Sequence, residues 1–212
     1  MYSIATRAVF ISAAALVGWA IPAAAAEVEP VRVYVAVSGD TEATEQGRLA
    51  GWSDARLNDA GRRQAQAVAG LLPSTIDAIY TSSLSRAIET AQLASGRFSM
   101  MSLSDLRPRN IGPFVGTLAD DREFVRRKSR SDDSLDGGET LSDYQTRLRR
   151  AVMEMRDSLP AGSVLLIVHR STAAEVMSVL AGDAAVEIKV PSPGDVAVID
   201  LVSASGLPDE DL

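Results

Sequence analysis

The alternation of apolar runs with amphipathic helical segments is the feature that most constrains the fold. Residues 31–37 (VRVYVAV) and 162–170 (GSVLLIVHR, with five apolar residues before His169) are largely apolar, which is typical of strands buried on both faces of a parallel sheet. Residues 58–72 carry apolar side chains at helical spacing, and a long helix is predicted over 140–159. This pattern predicts an α/β fold, a three-layer α/β/α sandwich with a mostly parallel central sheet.

The same patterns predict the remaining elements of a single domain without internal repeats. These are strands at 77–83, 187–190 (EIKV) and 195–202, and helices at 84–95, 118–130 and 171–182. Asn58 or Asp59 is expected to cap the helix at 58–72, Gly96 to end the helix at 84–95, and Ser171 or Thr172 to cap the helix at 171–182.

The first 26 residues have the layout of a secretory signal peptide. Arg7 is followed by an apolar run and then by alanines that end at Ala26. We therefore expect cleavage after Ala26 and an exported, periplasmic protein. A permanent membrane anchor is the alternative, and it is disfavoured because the apolar run is short and rich in alanine. The remainder divides into a domain at 27–205 and a flexible acidic tail at 206–212.

Composition excludes several function classes. The formal net charge of −7 makes nucleic acid a poor partner for this chain. The chain has no cysteine and a single histidine, so neither disulfides nor a structural zinc site are expected. We expect no metal and no other cofactor.

Three of the predicted strands end in residues that can carry chemistry. Ser38 follows the first strand, hydroxyl residues and Arg86 follow the second, and His169 follows the third. Ligands of open α/β sheets bind outside the carboxyl ends of the strands. We therefore expect these side chains to meet at one edge of the sheet.

The motifs around these residues resemble those of the histidine phosphatase superfamily, the phosphoglycerate-mutase-like proteins. The run at 33–65 is similar to the family's first block, an apolar strand followed by Arg-His-Gly-Glu-Thr and a later Gly-Trp-x-Asp. The matching residues of this run are Gly39, Thr41, Gly47, Arg48, Gly51, Trp52, Asp54, Leu57, Gly61, Gln64 and Ala65. Residues 78–91, 137–140 (GGET) and 164–172 resemble later blocks in the right order, with His169 on the second catalytic histidine.

The chain also departs from the family pattern at three positions. The pattern has arginine where this chain has Val37 and the nucleophilic histidine where it has Ser38. The general acid, a glutamate, is replaced by Val115 in GPFVG. The resemblance implies a phosphatase or mutase, yet its mechanism uses two histidines and this chain has one. We therefore expect a catalytically inactive member that binds a phosphorylated or other anionic ligand, or a protein partner.

Two other functions stay open. Ser38 could act as the nucleophile of a phosphoric-monoester hydrolase with His169 as its base. The pocket could instead be vestigial, in a purely structural or regulatory binding protein.

The candidate ligand-binding residues are Gly39, Thr41, Arg86, His169 and Arg170, and each has a plainer interpretation. Arg86 could hold an oxyanion with its two-pronged guanidinium or lie on the surface. His169 could face the pocket or be a hydrogen-bonded core histidine. Gly39 and Thr41 could cradle a phosphate or only form a turn. Arg170, where the family has glycine, could turn into the pocket or face solvent.

A basic stretch at 122–130 (REFVRRKSR) could bind a partner or an anionic lipid surface. We favour a solvated helix face that pairs with the acidic residues at 132–136.

Overall fold

The computed structural model describes residues 31–182 and 189–201. The predicted signal peptide at 1–26 and the predicted tail at 206–212 lie outside these ranges. Of the predicted strand at 187–190, the first two residues also lie outside them, and the last two are not in a strand.

Five strands form one sheet in the order β3-β2-β4-β1-β5. Their bounds are Val31–Val37 (β1), Ala78–Ser82 (β2), Met101–Leu103 (β3), Gly162–Val168 (β4) and Val196–Leu201 (β5). The pairs β1/β4, β2/β4 and β2/β3 are parallel, and β5 lies antiparallel to β1. The predicted mostly parallel sheet is confirmed. The three-residue edge strand β3 was not predicted, because it is too short to show alternation.

Helices cover both faces of the sheet and complete the three layers. Their bounds are Glu42–Glu45 (α1), Asp59–Ala69 (α2), Ser85–Ser95 (α3), Arg122–Arg127 (α4), Leu141–Asp157 (α5) and Ala173–Ala181 (α6). Along β4, Val164 and Leu166 pack with α5 and α6, whereas Leu165 and Ile167 pack with α2 and α3. The unbroken apolar run of this central strand follows from burial on both sides.

The helix ends agree in part with the sequence predictions. Asn58 caps α2 by accepting from the Gly61 N–H at 2.8 Å, and Gly96 ends α3 with φ 67°. The helix predicted at 118–130 is shorter, because Asp121 caps α4 by accepting from the Phe124 N–H at 2.9 Å. Thr172 stands at the N-cap of α6, but its side chain makes no capping bond.

A small apolar cluster lies apart from the main core, in residues 108–139, which we call the cap segment. Ile111, Phe114, Phe124 and Leu135 form this cluster. The Arg109 guanidinium donates to the carbonyl oxygens of Lys128, Asp133 and Glu139 and so holds the segment together.

The acidic stretch of the cap segment pairs with its basic helix. Arg127 of α4 forms ion pairs with Asp133 at 2.7 Å and Asp136 at 2.8 Å, as the sequence predicted for this stretch.

In the part of the chain that the structure describes, none of the helices has the length and apolar character that crossing a membrane requires.

Candidate functional site

The ends of β1 and β4 bring Ser38 and His169 side by side. Val37 lies opposite Val168 in the parallel register, so the next residue of each strand shares the carboxyl edge of the sheet. The Ser38 N–H donates to the Val168 carbonyl oxygen at 2.8 Å. The Ser38 Oγ lies 3.4 Å from His169 Nδ1, and both side chains are buried.

His169 is held firmly and is uncharged near neutral pH. Its backbone N–H donates to Thr172 Oγ1 at 3.0 Å, and the same hydroxyl donates back to its carbonyl oxygen at 3.0 Å. Burial, helped by the positive charge of Arg86, holds the pKa of His169 well below the usual 6.5. Its Nε2 atom is buried without a hydrogen-bond partner among the described residues.

Arg86 is a buried cation at the start of α3. Only 4% of the residue is exposed, and its guanidinium donates to the carbonyl oxygens of Gly51 and Ser53 at 2.8 Å each. In residues 31–182 and 189–201, no carboxylate lies within 4.0 Å of this guanidinium. Burial lowers the pKa of Arg86 to about 10, and the charge of Asp54 offsets part of that effect. Arg86 therefore stays protonated at neutral pH, and the surface interpretation is wrong.

The turn after β1 uses its backbone donors internally. The Gly39 N–H donates to Thr90 Oγ1 at 3.0 Å, and the Asp40 N–H donates to Gln64 Oε1 at 2.8 Å. With the Ser38 N–H bound to β4, these groups are not free to bind an anion. A phosphate-cradling turn would need such groups. Gly39 lines the cavity, but its N–H group is already occupied.

Thr41 is fully buried and does not belong to the cavity lining. Its Oγ1 accepts from the Thr44 N–H at 3.3 Å, and its own N–H donates to Thr44 Oγ1 at 2.8 Å. This reciprocal pair forms the capping box of α1. The structure thus places Thr41 in the role of a helix cap and not at the ligand-binding position expected from the sequence.

Arg170 lies at the exposed side of the cavity. Its side chain is 68% exposed, and its guanidinium lies 3.6 Å from the Asp40 carboxylate. Asp40 also accepts hydrogen bonds from Thr44 Oγ1 and Gln64 Nε2. Arg170 therefore lines the cavity while its side chain stays largely exposed and pairs with Asp40. The sequence alone assigned no binding or catalytic role to Asp40, although it follows Gly39 directly in the matched motif.

Val115 provides no acid to the site. It is 39% exposed and stands next to Gly51, outside the cavity lining. Among the described residues that line the cavity, Asp40 carries the only carboxylate. A proton donor for a leaving group is therefore missing at the position where the resemblance would place it.

Above the sheet edge lies a cavity of about 760 Å³. Its floor contains Ser38, Arg86 and His169, whereas the cap segment and the start of α5 supply its walls. Tyr144 of α5 lines the same cavity, and its buried hydroxyl has no hydrogen-bond partner in the described part of the chain. Sequence reasoning missed Tyr144, because one aromatic residue on an amphipathic helix looks like ordinary core.

Among residues 31–182 and 189–201, no group of three or more metal-ligating side chains is clustered.

Comparisons with known proteins point to one family. The model of the histidine phosphatase superfamily (branch 1) matches residues 34–199. The Arabidopsis thaliana phosphoglycerate mutase-like protein 4 is 30% identical over 156 residues, covering 68% of this chain and 68% of the relative. Some other curated relatives are longer, and the chain spans 45% of their length.

Solved structures agree with this assignment. The crystal structure of TTHB049 from Thermus thermophilus has a TM-score of 0.61 at 28% identity, covering 79% of this chain and 92% of that one. The mycobacterial glucosyl-3-phosphoglycerate phosphatase in complex with VO3 has a TM-score of 0.61 at 26% identity, covering 70% of this chain and 81% of that one.

Proposed function

This chain belongs to the histidine phosphatase superfamily, and from that premise we propose that it is an inactive member whose pocket binds a phosphorylated or other anionic ligand. The relatives are phosphatase-like and mutase-like proteins, which supports a phosphorylated ligand. The proposal separates binding, for which groups are retained, from phosphoryl transfer, for which groups are missing.

The buried guanidinium of Arg86 is the observation that supports the proposed binding of an anion. A charge that is removed from water without an opposite charge is costly, and an anion in the cavity would offset that cost. Arginine is suited to hold a phosphate through paired, charge-assisted hydrogen bonds. The unpartnered Nε2 of His169 adds a second polar group at the same floor.

The absence of the nucleophilic histidine supports the proposed lack of catalytic activity. The phosphoryl-transfer mechanism of this family needs a histidine nucleophile at the position where this chain has Ser38. The only histidine of the sequence is His169. A second nitrogen nucleophile of this kind is thus absent from the sequence itself.

One observation favours a second candidate function, a hydrolase with Ser38 as the nucleophile. The 3.4 Å distance between Ser38 Oγ and His169 Nδ1 is close to hydrogen-bond reach. Two features argue against it. The lowered pKa makes His169 a weak base, and no described carboxylate binds the other ring nitrogen to orient it. We therefore place this candidate second.

Titration with inorganic phosphate at constant ionic strength tests the proposal. Because the sequence has one histidine, the imidazole NMR signals of His169 report on the floor of the cavity without ambiguity. We expect saturable shifts with a dissociation constant in the millimolar range, about −4 kcal/mol. Arg86→Gln should abolish them, whereas Arg56→Gln, at an exposed arginine outside the cavity lining, should not.

Turnover assays separate the two candidates. We expect no hydrolysis of p-nitrophenyl phosphate above the buffer rate. Hydrolysis that disappears in Ser38→Ala would establish the hydrolase instead. If phosphate leaves the His169 signals of the unmodified protein unchanged, the pocket is vestigial and the binding proposal is wrong.

We also propose, from residues 1–26 alone, that the chain is exported to the periplasm and cleaved after Ala26. N-terminal sequencing of the protein from its native host should then begin at Glu27. An intact Met1 would contradict this proposal.

A further inference from the structure

The cavity is much larger than an inorganic anion requires. Its volume is about 760 Å³, within the range of roughly 300–1,000 Å³ that is typical for sites of organic ligands. A water molecule occupies about 30 Å³ in the liquid, and a phosphate ion only a few times more. Most of the cavity therefore lies beyond the anion that Arg86 would hold.

The walls of this additional space are largely apolar. Side chains from two regions contribute to them, the loop after α1 and the stretch from the cap segment to the start of α5. These residues are Leu49, Pro108, Ile111, Ala119, Phe124 and Leu141. A polyhydroxylated ligand would lose water at such walls without gaining hydrogen bonds in return.

The charged side chains of the walls do not change this conclusion. Arg48 and Lys128 are both exposed. The Arg48 guanidinium donates to the Gly116 carbonyl oxygen at 2.8 Å, and the Lys128 ammonium lies 5.9 Å from the centre of the Phe124 ring. Arg109 is buried, but its guanidinium already donates to three carbonyl oxygens of the chain. The Tyr144 hydroxyl is the one buried polar group of the described walls without a partner.

We propose that the ligand is a phosphomonoester with an aromatic or branched aliphatic body, rather than a sugar or glycerate phosphate. The inference rests on the proposed function, because Arg86 fixes the phosphate end. The apolar walls then select the rest of the molecule.

Binding of three probes with different bodies tests the ligand class. We would compare inorganic phosphate, glycerol 3-phosphate and 1-naphthyl phosphate by calorimetry at constant ionic strength. The naphthyl body can bury an apolar surface that the other two lack, so it should bind at least about tenfold more tightly than either. Neutral 1-naphthol should bind much more weakly than its phosphate, because it lacks the charge that pairs with Arg86.

Wall variants separate this inference from the proposed function. Leu141→Gln and Leu49→Gln, both at half-buried positions, should weaken 1-naphthyl phosphate several-fold and leave inorganic phosphate unchanged. Leu71→Gln makes the same substitution at an exposed leucine outside the lining and should have no effect. Equal affinity for all three probes, or naphthyl binding untouched by both wall variants, would overturn the ligand class while leaving anion binding intact. Absence of any phosphate response would overturn the proposed function itself.

Discussion

At the scale of the residue, the burial of His169 links stability to pH. The folded state holds the pKa of His169 well below 6.5, so the unfolded chain takes up the proton first as the pH falls. The stabilisation that comes from keeping the imidazole neutral is complete above about pH 6.5 and is lost as the pH falls toward the folded pKa. The limiting slope is about 1.4 kcal/mol per pH unit.

We therefore expect the free energy of unfolding to decrease between about pH 7 and pH 5, where ordinary carboxyl groups remain charged. Denaturant unfolding at several pH values would measure this. In His169→Asn the dependence over the same interval should disappear, because the sequence contains no other histidine. An unchanged slope in that variant would contradict the assignment.

Tyr144 gives a second prediction at the same scale. Burial, with the charge of Glu175 as a lesser cause, raises the pKa of its phenol, so the hydroxyl is neutral and lacks a described partner. Removing an unsatisfied buried hydroxyl removes a desolvation cost of about 1–3 kcal/mol. Tyr144→Phe should therefore unfold at higher denaturant concentration.

The control for this change is Tyr80→Phe. Among the described tyrosines only Tyr144 has a buried hydroxyl without a partner, so the same substitution at Tyr80 removes no such cost. A clear loss of stability in Tyr144→Phe would show that the hydroxyl has a stabilising contact and would contradict this prediction.

At the scale of the element, the turn after β1 lies directly on the backbone of α2. A Cβ atom on Gly39 would lie 2.5 Å from the Gly61 carbonyl oxygen, and one on Gly61 would overlap the Asp40 carbonyl oxygen. This contact explains two glycines of the matched motif: side chains there would push the turn, and Ser38 with it, away from the helix.

Gly61→Ala tests this packing. Alanine inside a helix is normally favoured over glycine by about 1 kcal/mol, but here the overlap should reverse the sign and cost about 1–3 kcal/mol. Thermal or denaturant unfolding measures the difference. Gly70→Ala, at the end of the same helix with its nearest neighbouring atom 3.5 Å away, should be neutral or slightly stabilising. A stabilised Gly61→Ala would mean that the contact is looser than described.

At the scale of the whole molecule, phosphoryl transfer needs groups from distant parts of the chain at one sheet edge. The parallel pairing of β1 with β4 already places position 38 beside His169. The double change Val37→Arg with Ser38→His should therefore allow acid-labile phosphorylation by a phosphoryl donor, which the unmodified chain should not show. Turnover should stay low, because Val115 supplies no acid and such protonation is worth about 10²–10⁴ in rate.

Radiolabelling followed by acid treatment distinguishes these outcomes, with Ser38→Ala as the matched control. Acid-labile label on the unmodified protein would contradict its proposed inactivity. A double variant that folds but stays unlabelled would show that the pocket has lost more than these two residues.

The sequence by itself was sufficient for the layers and for most elements. Periodicity depends on local spacing, so it predicted α2, α3, α5 and the buried strand β4, with the caps at Asn58 and Gly96. The sequence also predicted that Ser38, Arg86 and His169 lie at one edge of the sheet, because parallel strands share their carboxyl ends. The absence of a second histidine follows from counting alone.

Only the tertiary structure decided what each of these residues can do. Contacts between segments far apart in the chain are not visible in local patterns, and they occupied the Gly39 donor and paired Arg170 with Asp40. The cap that Thr41 forms is local, but its partner is Thr44 instead of the Glu or Gln of the usual capping-box pattern. Burial, which depends on every neighbour at once, left Arg86 without a described carboxylate and added Tyr144 to the cavity. Charge and hydrogen-bond satisfaction are properties of the packed molecule. Sequence patterns could therefore identify the residues of the site but not their charge or their hydrogen-bond partners.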